Sequence, residues 1–242
     1  EYVMLDEAQD ANPVIAAIVA AQDQAQLVYV GDAQQQIYAW TGAVNAMAGF
    51  ESTHRRFLTR SFRFGPAIAE CANTVLDRIP DAELRLVGAG PDTSAVGRYP
   101  DARAVLCRTN AGALREVIAG ITAGARVHLV GGGDEIVRFA RAADELQATG
   151  HTSHPELACF SSWSEVLEYV DQDALGSELA LLVKLFVDFG REGIERAMSV
   201  LVAESRADRI VSTAHKSKGR EWDSVRLASD FNPAAEDRTL SV

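Results

Sequence analysis

A chain of 242 residues, at about 150 residues per domain, has room for one or two domains and a sizeable core. Hydrophobic residues at 48%, charged residues at 24%, 18 Gly and 7 Pro exclude a disordered or collagen-like polypeptide. Lys plus Arg number 23 against 34 Asp plus Glu, and the resulting net charge of −11 excludes a uniformly basic nucleic-acid coat while allowing a local basic groove.

Residues 1–5 read as a short buried strand that runs into the acidic cluster Asp6-Glu7-Ala8-Gln9-Asp10. Asn12-Pro13 supplies a cap and a first-turn proline for a helix reaching about Ala21. Leu27 to Val30 is a second apolar strand, stopped by Gly31-Asp32, and the strand, helix, strand order predicts a parallel α/β sheet. Both strands deliver acids at their C-terminal ends, the edge at which open α/β sheets bind ligands. Pro66 opens a helix to about Ile79, and the Gly/Pro-rich stretch 88–100 reads as a loop. Ala104 to Cys107 is the next strand, Asn110 caps a helix to about Ala119, and Val127 to Val130 is a strand ending in Gly131-Gly132-Gly133. Residues 134–205 then turn helical, with helices predicted over 135–148, 163–170, 175–189 and 194–203. Ile210 to Thr213 and Val225 to Leu227 return to strands that rejoin the second sheet.

Cys71, Cys107 and Cys159 lie far apart with no C-x-x-C spacing, so neither a zinc site nor a disulfide framework is indicated, and reduced, largely buried thiols are expected. No apolar stretch approaches the ~20 residues of a membrane helix, and no signal segment stands at the start. The expectation is a soluble cytoplasmic protein with no membrane partner. The chain opens Glu1-Tyr2-Val3-Met4-Leu5 without an initiator Met, which reads as a fragment cut just upstream of, or within, a strand.

Four segments carry chemistry. In Leu5-Asp6-Glu7-Ala8-Gln9-Asp10, one strand-end carboxylate can reach a hydrated Mg²⁺ and the next can orient and deprotonate an attacking water; a solvated turn is the plain alternative. In 31–43, Gln35 can hydrogen-bond both a γ-phosphate oxygen and that water, and Tyr38 and Trp40 offer faces for base stacking, or simply fill a core. In 58–65, the Arg63 guanidinium can neutralise charge on a transferring phosphoryl group and Phe62 can cover an adenine, against a surface Arg beside a core Phe. In 212–223, hydroxyls, His215 and cations suit a phosphate backbone and Glu221 can accept from a ribose hydroxyl, against a solvated basic loop.

The order LDEAQD, VGDAQQQIYAWTGA, LTRSFRFG and STAHKSKGREW resembles motifs II, III, IV and V of UvrD/Rep-type superfamily 1A DNA helicases, with residues 34–38, 42–46, 61–65 and 215–219 most similar to the F-box DNA helicase branch. The resemblance spans residues 1–231 and implies an α/β, RecA-like P-loop NTPase helicase fold. It implies that Asp6 holds Mg²⁺, Glu7 activates water and Gln35 contacts the γ-phosphate and the water. It further implies that Arg63 is an arginine finger, Phe62 stacks on the adenine of ATP and Glu221 touches the ribose. Tyr38, Trp40, Thr213 and His215 would lie along single-stranded DNA, and segments 108–110 and 131–133 resemble the region between motifs IV and V that builds the second domain.

The chain departs from the family in holding no G-x-x-x-x-G-K-S/T loop, no motif VI after Phe231, no visible F-box, and Thr41 where the family usually has Arg. The expected organisation is the back part of RecA-like domain 1A over 1–57, the first part of domain 2A over 58–133, a reduced helical insertion (2B-like) over 134–205 and the end of domain 2A over 206–242. The expected function is part of an ATP- and Mg²⁺-dependent 3′–5′ translocase on single-stranded and duplex DNA, serving repair or recombination with proteins of those pathways. Without the P-loop this chain is expected to lack ATPase activity of its own. The alternative is a non-catalytic helicase-like module that docks proteins on its acidic surface and its 134–205 helices. An ATP-dependent nuclease subunit shares the motifs but needs a nuclease domain that these residues do not contain.

Overall fold

A computed structural model describes residues 1–37, 47, 49–50, 52–80, 82–172 and 178–231. They divide into two compact units, Glu1–Gly97 and Arg98–Val242.

The first unit holds two strand–helix–strand repeats. Strand β1 (Tyr2–Leu5) pairs in parallel with β2 (Gln26–Tyr29), Tyr2 opposite Gln26 and Leu5 opposite Tyr29, and helix α1 (Pro13–Ala20) makes the crossover. Asn12 caps that helix by accepting from the Val14 amide at 2.8 Å, with Pro13 in the first turn where its missing N–H has no partner to lose. Strand β3 (Arg60–Ser61) pairs in parallel with β4 (Val87–Gly88) across helix α2 (Pro66–Leu76). The loop expected from residue 88 onward therefore begins with a strand residue, because a two-residue strand is too short to leave a period in the sequence. The Asn73 side-chain amide stitches α2 to the approach to β4, donating to the Leu86 carbonyl and accepting from its amide, both at 2.9 Å.

The second unit is a four-stranded parallel sheet in the order β6-β7-β5-β8, from β5 (Ala104–Cys107), β6 (Val127–Leu129), β7 (Arg209–Thr213) and β8 (Val225–Leu227). Ala104 lies opposite Ile210 on one side and Val225 on the other, so β5 and β7 are central; β5 reads as the apolar run Ala-Val-Leu-Cys, and β7 buries Ile210 and Val211 together with Ser212 and Thr213. Helices α3 (Asn110–Thr122), α4 (Asp134–Thr149), α5 (Trp163–Gln172) and α6 (Glu178–Ser199) do not form a core apart from the sheet. Phe139, Ala143 and Leu146 of α4, Val166 of α5 and Phe186 of α6 share one apolar cluster with Leu114 of α3 and with Val105 and Val211 of the sheet. The spacing of Ile136, Phe139, Ala140, Ala143 and Leu146 puts one apolar stripe down α4. The two helices predicted over 175–189 and 194–203 are present within α6 as two segments separated at Gly190, whose φ of 62° and ψ of 173° are open to glycine and interrupt the helix.

The cap of α3 is Thr109 rather than Asn110: its hydroxyl accepts from the Gly112 amide at 2.9 Å, the third helical position, which Asn110 cannot serve from inside the first turn. Asp230, after β8, closes the same terminus with one carboxylate oxygen that accepts from the Arg108 and Thr109 amides at 2.9 and 3.0 Å and from the Thr109 hydroxyl at 3.1 Å. A negative charge there is also favoured by the helix dipole. Of the thiols expected to be largely buried, Cys107 alone is so, and burial pushes it up to about 12, with the Asp230 and Glu116 charges adding to the shift. Cys71 and Cys159 are exposed, since α2 and the turn before α5 turn those positions outward. Among the described residues no helix is long and apolar enough to cross a membrane.

Candidate functional site

The end of β1 delivers Asp6 and Glu7, both exposed, at the C-terminal edge of the strand pair. Glu7 sits at φ 52° and ψ 38°, the only left-handed backbone among the described residues other than glycine. Such a conformation costs about 1–2 kcal/mol and is concentrated at functional sites. Its amide donates to Asp6 Oδ1 at 2.9 Å. The chain then tightens into a single 3-10 turn, Ala8–Asp10, anchored to the end of β2 by the Ala8 amide donating to the Val30 carbonyl at 2.9 Å.

That turn folds Gln9 beneath Glu7, where it is 0% exposed. Gln9 Nε2 donates to Glu7 Oε2 at 2.6 Å, and Gln9 Oε1 accepts from the Asp32 amide at 3.1 Å. Asp32 in turn accepts from the Gln34 amide at 3.0 Å and from the Gln35 side-chain nitrogen at 2.8 Å. One hydrogen-bonded line thus runs from the Glu7 carboxylate through Gln9 and Asp32 to Gln35. Gly31 leaves room beside it, since a Cβ there would displace Gln9 Oε1. A lone carboxylate such as Asp6 suits a magnesium ion that keeps most of its waters and takes its remaining ligands from phosphates. Among the described residues no group of acids, His and Cys forms an all-protein metal cage.

Phe62 and Arg63 follow β3 on exposed backbone, and Phe62 is 73% exposed, so it is not the core aromatic of the plain alternative. The segment is held from behind: the Gly65 amide donates to Ser94 Oγ at 2.7 Å, and the Gly90 amide to the Phe64 carbonyl at 2.9 Å.

In the second unit Thr213 closes β7 and is buried, its hydroxyl accepting from the Lys216 amide at 3.3 Å as the cap of α7 (Ala214–Ser217). His215 and Glu221 are exposed. Between them, Arg220 and Trp222 donate to the two oxygens of Glu204 at 2.9 and 3.1 Å, with His128 Nε2 3.9 Å away. The Trp222 indole, and then Arg220, hold the Glu204 carboxyl below the usual carboxylate range. A depressed value means stabilisation that is complete above the unfolded-state pKa and lost as the pH falls through the folded one. Glu204→Gln is therefore expected to lower unfolding stability at pH 7, by no more than about 1 kcal/mol for so exposed a pair, and to have a smaller effect as the pH is lowered into the acid range. Equal effects at pH 7 and in the acid range would remove the charge from this role.

The UvrD/REP helicase N-terminal domain model matches residues 1–54. "F-box DNA helicase protein 1" of Schizosaccharomyces pombe is 31% identical over the whole of this chain and 30% of its own length. "F-box DNA helicase 1" of Gallus gallus is 29% identical over 98% of this chain and 25% of its own length. "ATP-dependent DNA helicase PcrA" of Leuconostoc citreum is 37% identical over 33% of this chain and 12% of its own length. Residues 1–54 thus match the UvrD/REP helicase N-terminal domain, and over its whole length the chain resembles the F-box DNA helicase branch of the UvrD-like superfamily 1 family. It spans about 30% and 25% of the two F-box relatives.

The parallel α/β architecture of this UvrD-like chain agrees with the expected RecA-like fold class. Of the residues singled out in the helicase motifs, the structure brings Asp6, Glu7 and Gln35 to one edge of one strand pair. Phe62 and Arg63 belong to the β3–β4 repeat, and Thr213, His215 and Glu221 to the second unit. Tyr38 and Trp40 lie outside the described residues. Gln9 and Glu204 had no role in the sequence reading, and Asp32 entered it only as an acid at a strand end. The signal for Gln9 and Asp32 was their place inside the quoted motifs, whereas Glu204 carries none, because its partners lie 16 and 18 residues away.

Proposed function

We propose that this chain is the motif II to motif V segment of an ATP-dependent 3′–5′ DNA helicase that couples ATP hydrolysis to movement on single-stranded DNA and to duplex separation in repair or recombination. The observation that carries the reading is the hydrogen-bonded line joining Glu7, Gln9, Asp32 and Gln35, which links a carboxylate suited to water activation with an amide suited to sensing a terminal phosphate. In this reading residues 1–57 belong to domain 1A, 58–133 and 206–242 to domain 2A, and 134–205 to a reduced insertion.

Magnesium, arriving with ATP, supplies charge neutralisation at the phosphates, and Asp6 is the residue that would hold it. Glu7 orients the attacking water and accepts its proton, and Gln35 reads the γ-phosphate. Arg63 offsets the charge on the transferring group, exposed Phe62 stacks on the adenine and Glu221 accepts from the ribose. Tyr38, Trp40, Thr213 and His215 line the strand, His215 from an exposed position and Thr213 by setting the α7 turn. These 242 residues contain no G-x-x-x-x-G-K-S/T loop, so this chain by itself turns over no ATP.

The test is binding of this chain to a fluorescent single-stranded oligonucleotide across a salt series, with and without ATP and Mg²⁺. Affinity is expected to fall linearly on a log–log plot, with a slope of about −0.7 per phosphate contacted, and to ignore ATP. No binding at low salt would overturn the assignment of a strand track to these residues.

A further inference from the structure

Among the described residues of the β1–β2 edge, Gln9 is the one fully buried side-chain amide, and its two polar atoms are committed to Glu7, two residues before it, and to Asp32, 23 residues after it. Its nitrogen reaches the Glu7 carboxylate, and its oxygen takes the Asp32 amide that opens the turn carrying Gln35. We propose that Gln9 is a positioning residue that couples the water-activating carboxylate Glu7 to the phosphate-sensing loop Asp32–Gln35, so that the two groups move as one unit. The proposal rests on the nucleotide reading above.

The chemistry demands this side chain. A primary amide is a donor and an acceptor on one rigid plane; ionised Glu has no donor, Met has neither, and Asn is a methylene too short to span the gap. The surroundings hold it on both sides. The left-handed Glu7 backbone turns the chain into the 3-10 turn that presents Gln9, the Ala8 amide pins that turn to Val30, and Gly31 leaves the space that Oε1 occupies. The 2.6 Å bond from a buried amide restrains the Glu7 carboxylate from beneath. Conversely, a shift of the Asp32–Gln35 turn must pull on Oε1, and through the rigid amide on Glu7.

The experiment has two parts. In this chain, amide hydrogen exchange at Asp32 is read by NMR: Gln9→Met is expected to speed exchange at least tenfold, whereas Gln9→Glu, which keeps an oxygen for the Asp32 amide, is expected to leave it within about threefold. In the longer polypeptide that carries these residues together with a P-loop, both variants are expected to lower kcat for ATP by about 10²-fold with KM within threefold, as a misplaced catalytic group does. Combining Gln9→Met with Gln35→Ala is expected to give a kcat no more than about threefold below the more damaging single change, since coupled residues are not additive.

Independent, multiplicative losses, or a KM that rises as far as kcat falls, would overturn the proposal and leave Gln9 a merely structural amide. Glu7→Gln is the control: if it retains turnover, the nucleotide reading itself fails, whereas if it abolishes turnover while the Gln9 variants retain it, only the positioning role fails. Should Gln9→Met not fold, Gln9→Glu carries the kinetic arm alone, with the same expected loss of kcat and the same overturning results.

Discussion

Glu7→Gln in the longer, P-loop-bearing polypeptide is expected to lower DNA-stimulated ATP turnover by about 10²- to 10⁴-fold, the usual worth of a general base, while nucleotide affinity stays within a few fold. The amide keeps the size of the side chain and an oxygen for Gln9 Nε2, so the line to Asp32 and Gln35 survives and only proton acceptance is lost. Arg63→Ala is expected to cost 10³- to 10⁵-fold through the unneutralised charge of the transferring phosphoryl group, again in kcat. Steady-state turnover together with fluorescent-nucleotide titration separates the two quantities. Near-normal turnover in either variant would strip that residue of its role, and a parallel loss of binding would make it a ligand contact.

Phe139→Ala is expected to have the largest effect on stability, a loss of about 3–5 kcal/mol. Its ring is 2% exposed, meets the His154 ring edge-on at a centroid distance of 5.7 Å, and lies in the cluster that joins α4 and α6 to α3 and the sheet. Because the helices share that core, the variant should lower the midpoint of a single cooperative urea transition monitored by far-ultraviolet circular dichroism over the second unit. A separate early transition of the helices, with the sheet unperturbed, would show that residues 134–205 fold on a core of their own.

Much of the fold was legible because local chemistry and global structure agree. Asn12-Pro13 carries the start of α1, the Ile136, Phe139, Ala143 and Leu146 spacing carries α4, and the apolar run at 104–107 and the β-branched Ile210, Val211 and Thr213 carry the central strands. The errors fall where the deciding partner is remote or the element is too short. The β3–β4 pair has two residues a side, and the Thr109 cap is completed by Asp230, 121 residues further along. The outward turn of Cys71 and Cys159 depends on which face of the surrounding chain packs.

The candidate site divides in the same way. In the sequence, the order of the four motifs carried the resemblance to UvrD-like helicases, and that resemblance is what proposes Asp6, Glu7, Gln35, Phe62, Arg63 and Glu221 as a nucleotide set. The tertiary structure decided how the set is held: the left-handed turn at Glu7, the burial of Gln9, its span to Asp32, and the clamp of Glu204 on Arg220 and Trp222. Hydrogen bonds between loops brought together by parallel pairing leave no periodic trace in a sequence. Only the folded register of β1 against β2 sets Ala8 against Val30 and, with them, Gln9 against Asp32.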